Sequence, residues 1–201
     1  MPGYVKKALK KFNHKPPKRP EHAPHDWTDP IYGQQTQQRS TQESTAPLLP
    51  YDERKRVKAI IETFLYKGLG IDSTILVTLN EIGGQQSTAT TDSEKKCVKL
   101  MDYLHTHPSA VVRFHASDMI LYVESDAAYL VLPQALSCVG SILYLSNATS
   151  GRPPLNRAIQ VICKTLQNVV SSAAEVETGG IFIGGQQAVP IITALSELNH
   201  P

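Results

Sequence analysis

The chain has 201 residues, 41% of them apolar, and a formal net charge of +2. Length permits one large domain or two small ones, and the apolar share supplies a core only if the polar N-terminal stretch is set aside, so one core beginning near Tyr51 is expected. Charge is uneven: the first twenty residues hold seven Lys or Arg and no acid, leaving 13 basic against 18 acidic residues in the other 181, a balance of −5. Cys97, Cys138 and Cys163 are odd in number and widely spaced, which excludes a disulfide framework or zinc knuckle and predicts buried thiols in a reducing compartment. No run reaches 18 apolar residues, and MPGYVKKALKKFNHK lacks the apolar stretch of a signal peptide. A soluble, intracellular chain without a membrane partner is expected.

Val5, Leu9 and Phe12 recur at three- and four-residue steps, which predicts a short amphipathic helix with Lys6, Lys7, Lys10 and Lys11 around the rest of its surface. Pro16-Pro17 stops it. From there to Leu48-Leu49-Pro50 the chain is rich in Pro, Gln, Thr, Ser and His, the composition of an extended or disordered linker with no compact fold. His14, His22 and His25 within it read as solvated. Three helices follow: Asp52 to Lys67, stopped at Gly68; a second capped by Asp72 or Ser73 and ended by Gly83-Gly84; and a third opened by a capping box at Thr91-Asp92-Ser93-Glu94 and closed at His107-Pro108. Adjacent His105 and His107 suit the helix end better than a metal.

Beyond Pro108 the apolar period becomes two. Val111–His115 and Met119–Val123 read as strands joined by a turn at Ala116-Ser117-Asp118, with further strands over 139–145 and 158–163 around a loop from Asn147 to Pro154. Ser172 then caps a helix. Antiparallel strands followed by a helix predict a mixed α/β sheet whose next, parallel strand is absent. Gly179-Gly180 and Gly184-Gly185 flank Ile181-Phe182-Ile183, which by local rules is a strand between turns, since each glycine costs a helix about 1 kcal/mol.

Two acidic signatures carry the chemistry. Asp126, at the end of an apolar strand, is presented at a sheet rim, whereas its neighbour Glu124 reads as solvated. In Ser172-Ala173-Ala174-Glu175 the Glu175 carboxylate serves the capping box, which leaves Glu177 free to meet Asp126. Two converging carboxylates require a cation, and hard oxygen ligands favour Mg²⁺ or Mn²⁺. The seven cations Lys6, Lys7, Lys10, Lys11, Lys15, Lys18 and Arg19 suit a polyanion such as a nucleic-acid backbone, although no aromatic stacking platform accompanies them.

MPGYVKKAL, HAPHDWTDPIYG, FLYKGLGIDSTIL, LMDYLHTHPSAVVRFHASDMILYVESDAAYL, LYLSN, VVSSAAEVE and ELNHP together resemble the pol polyprotein of copia-type retrotransposons, in the region after the reverse transcriptase palm. The resemblance implies a basic helix and linker over 1–50, a helical connection over 51–108 and a truncated ribonuclease H-like domain over 109–201, with one active-site helix. It assigns Asp126 and Glu177 as catalytic metal ligands for two-ion hydrolysis of the RNA strand of an RNA–DNA hybrid, and implies the upstream polymerase part of pol as a partner in the parent element. The chain departs from that pattern: the third acid, in an Asp-Asn pair, would follow Pro201; the basic run after the first Asp is replaced by Leu132-Pro133-Gln134; Thr178-Gly179-Gly180 stands where the family favours Leu, Gly and Ala; and no Asp-Asp pair occurs for a polymerase. An inactive relic of the nuclease module is expected, with a non-catalytic nucleic-acid-binding or assembly module as the alternative.

Overall fold

The computed structural model describes residues 2–26, 46–132, 136–166, 168 and 170–200, and the chain divides into two compact units, 1–111 and 112–201. Helices and an antiparallel open sheet make up the chain, an α/β composition as the sequence predicts.

The first unit is helical. It contains α1 (Tyr4–Lys11), α2 (Tyr51–Gly70), a 3₁₀ turn (Ser73–Ile75), α3 (Leu76–Gly84), a second 3₁₀ turn (Gln86–Thr88) and α4 (Thr91–Thr106). One core gathers Phe64, Ile75, Leu79, Leu100 and Leu104, and burial of each such side chain contributes about 1.5–3 kcal/mol. Val5, Ala8, Leu9 and Phe12 belong to the same core, so the core begins well before Tyr51. The periodicity of α1 was legible. That its apolar face has a partner within the unit was not.

The supposed linker is also anchored over its described parts. His14 Nε2 lies 2.7 Å from Asp102 Oδ1, His25 Nε2 lies 2.5 Å from Glu81 Oε2, and the Glu21 N–H donates to Thr106 Oγ1 at 3.0 Å. His22 Nδ1 is 3.1 Å from His107 Nε2. These histidines are bonded to α3 and α4 or the residue just past α4, and are not solvated bystanders. At the other end Leu49 is buried and its N–H donates to the Ala89 carbonyl; residues 27–45 of the expected linker lie outside the described residues.

Local signals were displaced by a residue or two. Gly68 does not stop α2, which runs on to Gly70; it serves instead to admit α3, since an added Cβ would lie 2.8 Å from Leu76 Cδ2. Asp72 takes the N-cap position of the first 3₁₀ turn, but its side chain makes no capping bond there. Its carboxylate accepts from the buried Lys67 ammonium at 2.9 Å and from the Thr74 hydroxyl at 2.6 Å. The N-cap of α4 is Thr90, whose N–H donates to Ser93 Oγ at 3.2 Å, one position earlier than the box read from Thr91 and Glu94.

The second unit is a three-stranded meander with one helix. The strands β1 (Ile120–Leu132), β2 (Leu136–Ser146) and β3 (Ala158–Leu166) pair antiparallel in the order β1-β2-β3, and α5 (Ala173–Glu197) lies over β1 and β2. No strand forms over 111–115, and the expected turn at 116–118 is not a hairpin. No parallel pair occurs among the described residues. The glycine-rich stretch, expected as a strand between turns, is the middle of α5. A Cβ at Gly184 would lie 3.0 Å from Val123 Cγ1, and one at Gly180 would lie 3.4 Å from Val139 Cγ1. Close approach to the sheet outweighs the helix penalty of these glycines. Pro190 lies inside the same helix, where its ring removes one N–H from the ladder.

Candidate functional site

Alternation along β1 decides where the acidic residues go. Val123 and Ala127 meet the glycines of α5, so Asp126 and Glu124 belong to the opposite face of the sheet. Asp126 sits in the interior of β1, opposite Gly140 of β2, and is exposed. It is not at a strand end. The hydrogen bond it makes is local, with Oδ1 accepting from the Ala127 N–H at 2.9 Å.

Glu124 is the engaged acid of this face. Its Oε1 accepts from the Tyr144 hydroxyl at 2.7 Å and its Oε2 from Arg152 at 3.0 Å. Donation from Tyr144, and then from Arg152, holds the carboxyl below its ordinary range. Burial and the facing carboxylate push the Tyr144 phenol up to about 12. Glu124 was expected to be solvated. The signal that could have corrected this is the β-rich Tyr144, which supplies a donor one strand away.

At the start of α5 the capping logic holds, with one change of partner. Ser172 Oγ accepts from the Glu175 N–H at 3.2 Å, while the Glu175 carboxylate accepts from the Ser171 N–H at 2.7 Å and the Ser171 hydroxyl at 2.9 Å. These bonds lower the Glu175 pKa. Glu177 is half-buried, next to the fully buried Val176, and bonds to no described residue. It therefore remains on the helix side of the sheet while Asp126 points to the other. Two-ion catalysis needs carboxylates that converge on one volume, and this pair does not fit that requirement. No group of three or more His, Cys, Asp or Glu among the described residues suits a metal ion.

On the same face as Asp126, Cys138 and Cys163 are diagonal neighbours, since Cys163 pairs with Gly140 and Cys138 with Thr165. Interaction with the Cys163 thiol lowers the Cys138 thiol to about 7 and raises that of Cys163, whereas burial pushes Cys97 up to about 12. Only Cys97 is fully buried, so the three expected buried thiols reduce to one.

The basic residues form a second constellation, within the first unit. Lys6, Lys7, Lys10 and Lys11 occupy the exposed arc of α1, and Lys15, Lys18 and Arg19 are exposed beyond it. Lys11 Nζ donates weakly to Thr63 Oγ1 at 3.4 Å. None of the seven makes an ion pair with a described residue. Beside Lys6 and Lys10 lies a cavity of about 580 Å³ whose walls include Val5, Leu9, Pro16 and Pro108.

No helix among the described residues is long and apolar enough to cross a membrane. No protein-family model matches the chain, and comparison with curated proteins and with solved structures finds no match.

Proposed function

We propose that this chain is a copia-type pol-derived polypeptide that binds nucleic acid through the basic arc of its first unit and does not by itself cut RNA–DNA hybrids. The observation that carries the reading is the set of seven exposed cations that make no ion pair with a described residue, four of them fixed on a helix whose opposite face is locked in a core. A folded scaffold holds these charges at constant spacing, so each phosphate contact is made without ordering a tail. The apolar cavity beside Lys6 and Lys10 gives a sugar or base a place next to the phosphates. The second unit supports a ribonuclease H-like descent through its antiparallel meander and capped helix, with Asp126 in the first strand and Glu177 in the opening turns of the helix. Because those acids stand on opposite sides of the sheet, they supply no centre for Mg²⁺ or Mn²⁺, and no hydrolytic step is assigned to them.

Binding to a labelled hybrid duplex, titrated against salt, tests the proposal. The logarithm of affinity should fall steeply with the logarithm of salt concentration, and changing Lys6, Lys7, Lys10 and Lys11 together to Gln should flatten that slope by roughly 3 to 4. A slope near zero would sink it. Mg²⁺-dependent cleavage by the same preparation, abolished in Asp126→Asn, would favour the nuclease reading instead.

A further inference from the structure

We infer that Cys138 and Cys163 form a peroxide-responsive thiol pair, in which oxidation of Cys138 is resolved by Cys163 into a disulfide that ties β2 to β3. The inference concerns the second unit alone and stands apart from the nucleic-acid reading.

The strand register brings the two residues together. Cys138 is opposite Thr165 and Cys163 is opposite Gly140, so both side chains leave the same face of the sheet as diagonal neighbours. It is the face away from α5, because the helix glycines meet Val123 and Val139 on the other. Diagonal neighbours stand about 7–8 Å apart in a regular pair, at the outer limit of what a disulfide spans. Here the sulfurs come closer than that spacing suggests, since the Cys163 S–H donates to the Cys138 sulfur. Gly140 makes room for this. A Cβ placed there would meet nothing nearer than the Ile162 carbonyl oxygen at 4.0 Å, so the Cys163 side chain is free to lean along β2 towards Cys138.

The same surroundings make the two thiols unequal. Besides the Cys163 thiol, the backbone N–H groups of Lys164 and Val139 donate to the Cys138 sulfur. A sulfur that accepts several donors is favoured as the thiolate, and the Cys138 thiol accordingly lies at about 7. Cys138 is half-buried, and the residues beside it on the open face, Ala128 across on β1 and Gly140 along β2, are small. A small oxidant therefore reaches it. The Asp126 carboxylate, opposite Gly140 on this face, disfavours an anionic oxidant and leaves hydrogen peroxide, which is uncharged, as the fitting class.

The chemistry closes on these two side chains and one peroxide. The Cys138 thiolate attacks a peroxide oxygen; an S–O bond forms, the O–O bond breaks, and the departing hydroxide takes up the proton that Cys138 lost on ionising, giving water and a sulfenic acid. The Cys163 sulfur then attacks the Cys138 sulfur. An S–S bond forms, the S–O bond breaks, and the hydroxyl leaves with the Cys163 proton as a second water. Two thiols are oxidised by two electrons, and one peroxide is reduced to two waters. The order of events is built into the pair. The bond that lowers the Cys138 thiol raises that of Cys163, which stays protonated and unreactive until Cys138 is oxidised and its negative charge is gone.

The test is to treat the reduced full chain with hydrogen peroxide at neutral pH, block remaining thiols by alkylation, digest without reductant and read the peptides by mass spectrometry. Expected is a cross-linked pair carrying Cys138 and Cys163, lighter by two hydrogens than its separate parts. It should form at least about tenfold faster than the fully buried Cys97 is oxidised. Cys163→Ser should leave Cys138 as a sulfenic acid that dimedone traps, and Cys138→Ser should slow oxidation of Cys163 by at least about tenfold. Peroxide that leaves both thiols free overturns the inference. So does a parent chain in which Cys138 proceeds to the sulfinic acid while Cys163 stays reduced, or in which the disulfide joins Cys97 or a second chain.

Discussion

The two units solve the same problem, covering apolar surface, with different success. In the first, four helices close around Phe64, Leu100 and Leu104, and even the N-terminal helix contributes its apolar face. Its buried charge is answered by a charge: the side chains of Lys67 and Asp72 are only 4% and 9% exposed and meet at 2.9 Å. In the second, one helix covers one face of a three-stranded sheet. Val139 and Leu143 of the sheet and Val176 of the helix are fully buried between them, yet the outer face of the helix is left apolar and exposed, and the buried Ser141 hydroxyl has no hydrogen-bond partner among the described residues. An interior needs enclosure on several sides, and a single layer over a short sheet leaves part of its apolar inventory outside.

The largest expected effect tests the enclosed side of this comparison. Asp72→Ala leaves the Lys67 ammonium buried without its partner and should cost about 3–5 kcal/mol in urea denaturation. Arg152→Ala breaks an ion pair at a surface position and should leave the unfolding midpoint of the second unit nearly where it was. A small effect of Asp72→Ala would mean that the first unit is not sealed around Lys67.

Helix-to-sheet contact in the second unit comes next. Gly184→Val drives a side chain into Val123 and should destabilise by about 1–3 kcal/mol. Gly185→Ala, one residue along and facing open space, should stabilise the unit by up to ~1 kcal/mol through helix propensity alone. Equal effects at the two positions would contradict the helix orientation described. Ser141→Ala removes an unpaired buried hydroxyl and should raise stability by about 1 kcal/mol.

The smallest effects concern titration. The Glu124 carboxyl is held below its unfolded value, so its contribution to folding is complete above that value and is lost as the pH falls through the lower, folded one. The midpoint of the second unit should therefore drop below about pH 4, and by less in Tyr144→Phe, as read by fluorescence-monitored unfolding at several pH values. Alkylation at neutral pH should mark Cys138, whose thiol lies at about 7, well before Cys97 at about 12. Faster labelling of Cys97 would mean that the helical core opens more readily than the sheet.

How much of this was legible in the sequence depended on whether a signal was local. The spacing of Val5, Leu9 and Phe12 identified a helical face, the Ser172 cap announced α5, and period-two runs located most of β2 and β3. Three things were not legible, because each depends on a partner distant in sequence. The glycines of α5 argued against a helix until Val123 and Val139 supplied a reason for them. Alternation placed Glu124 and Asp126 on one face, but only the packing of α5 reveals that it covers the other. The lysines of α1 were visible as a cluster, whereas the anchoring of that helix became visible only with the core around Phe64.

The contact of Gly184 with Val123 also sets a timetable for synthesis. The partners are 61 residues apart, so a ribosome adding about 5–20 residues per second takes roughly 3–12 s to deliver the helix after the strand has emerged. The first unit, finished by residue 111, can fold before β1 leaves the exit tunnel. Val123 and Ala127 must then wait in water for their cover, and a chaperone that recognises apolar strands would find its longest opportunity on this nascent chain in that interval.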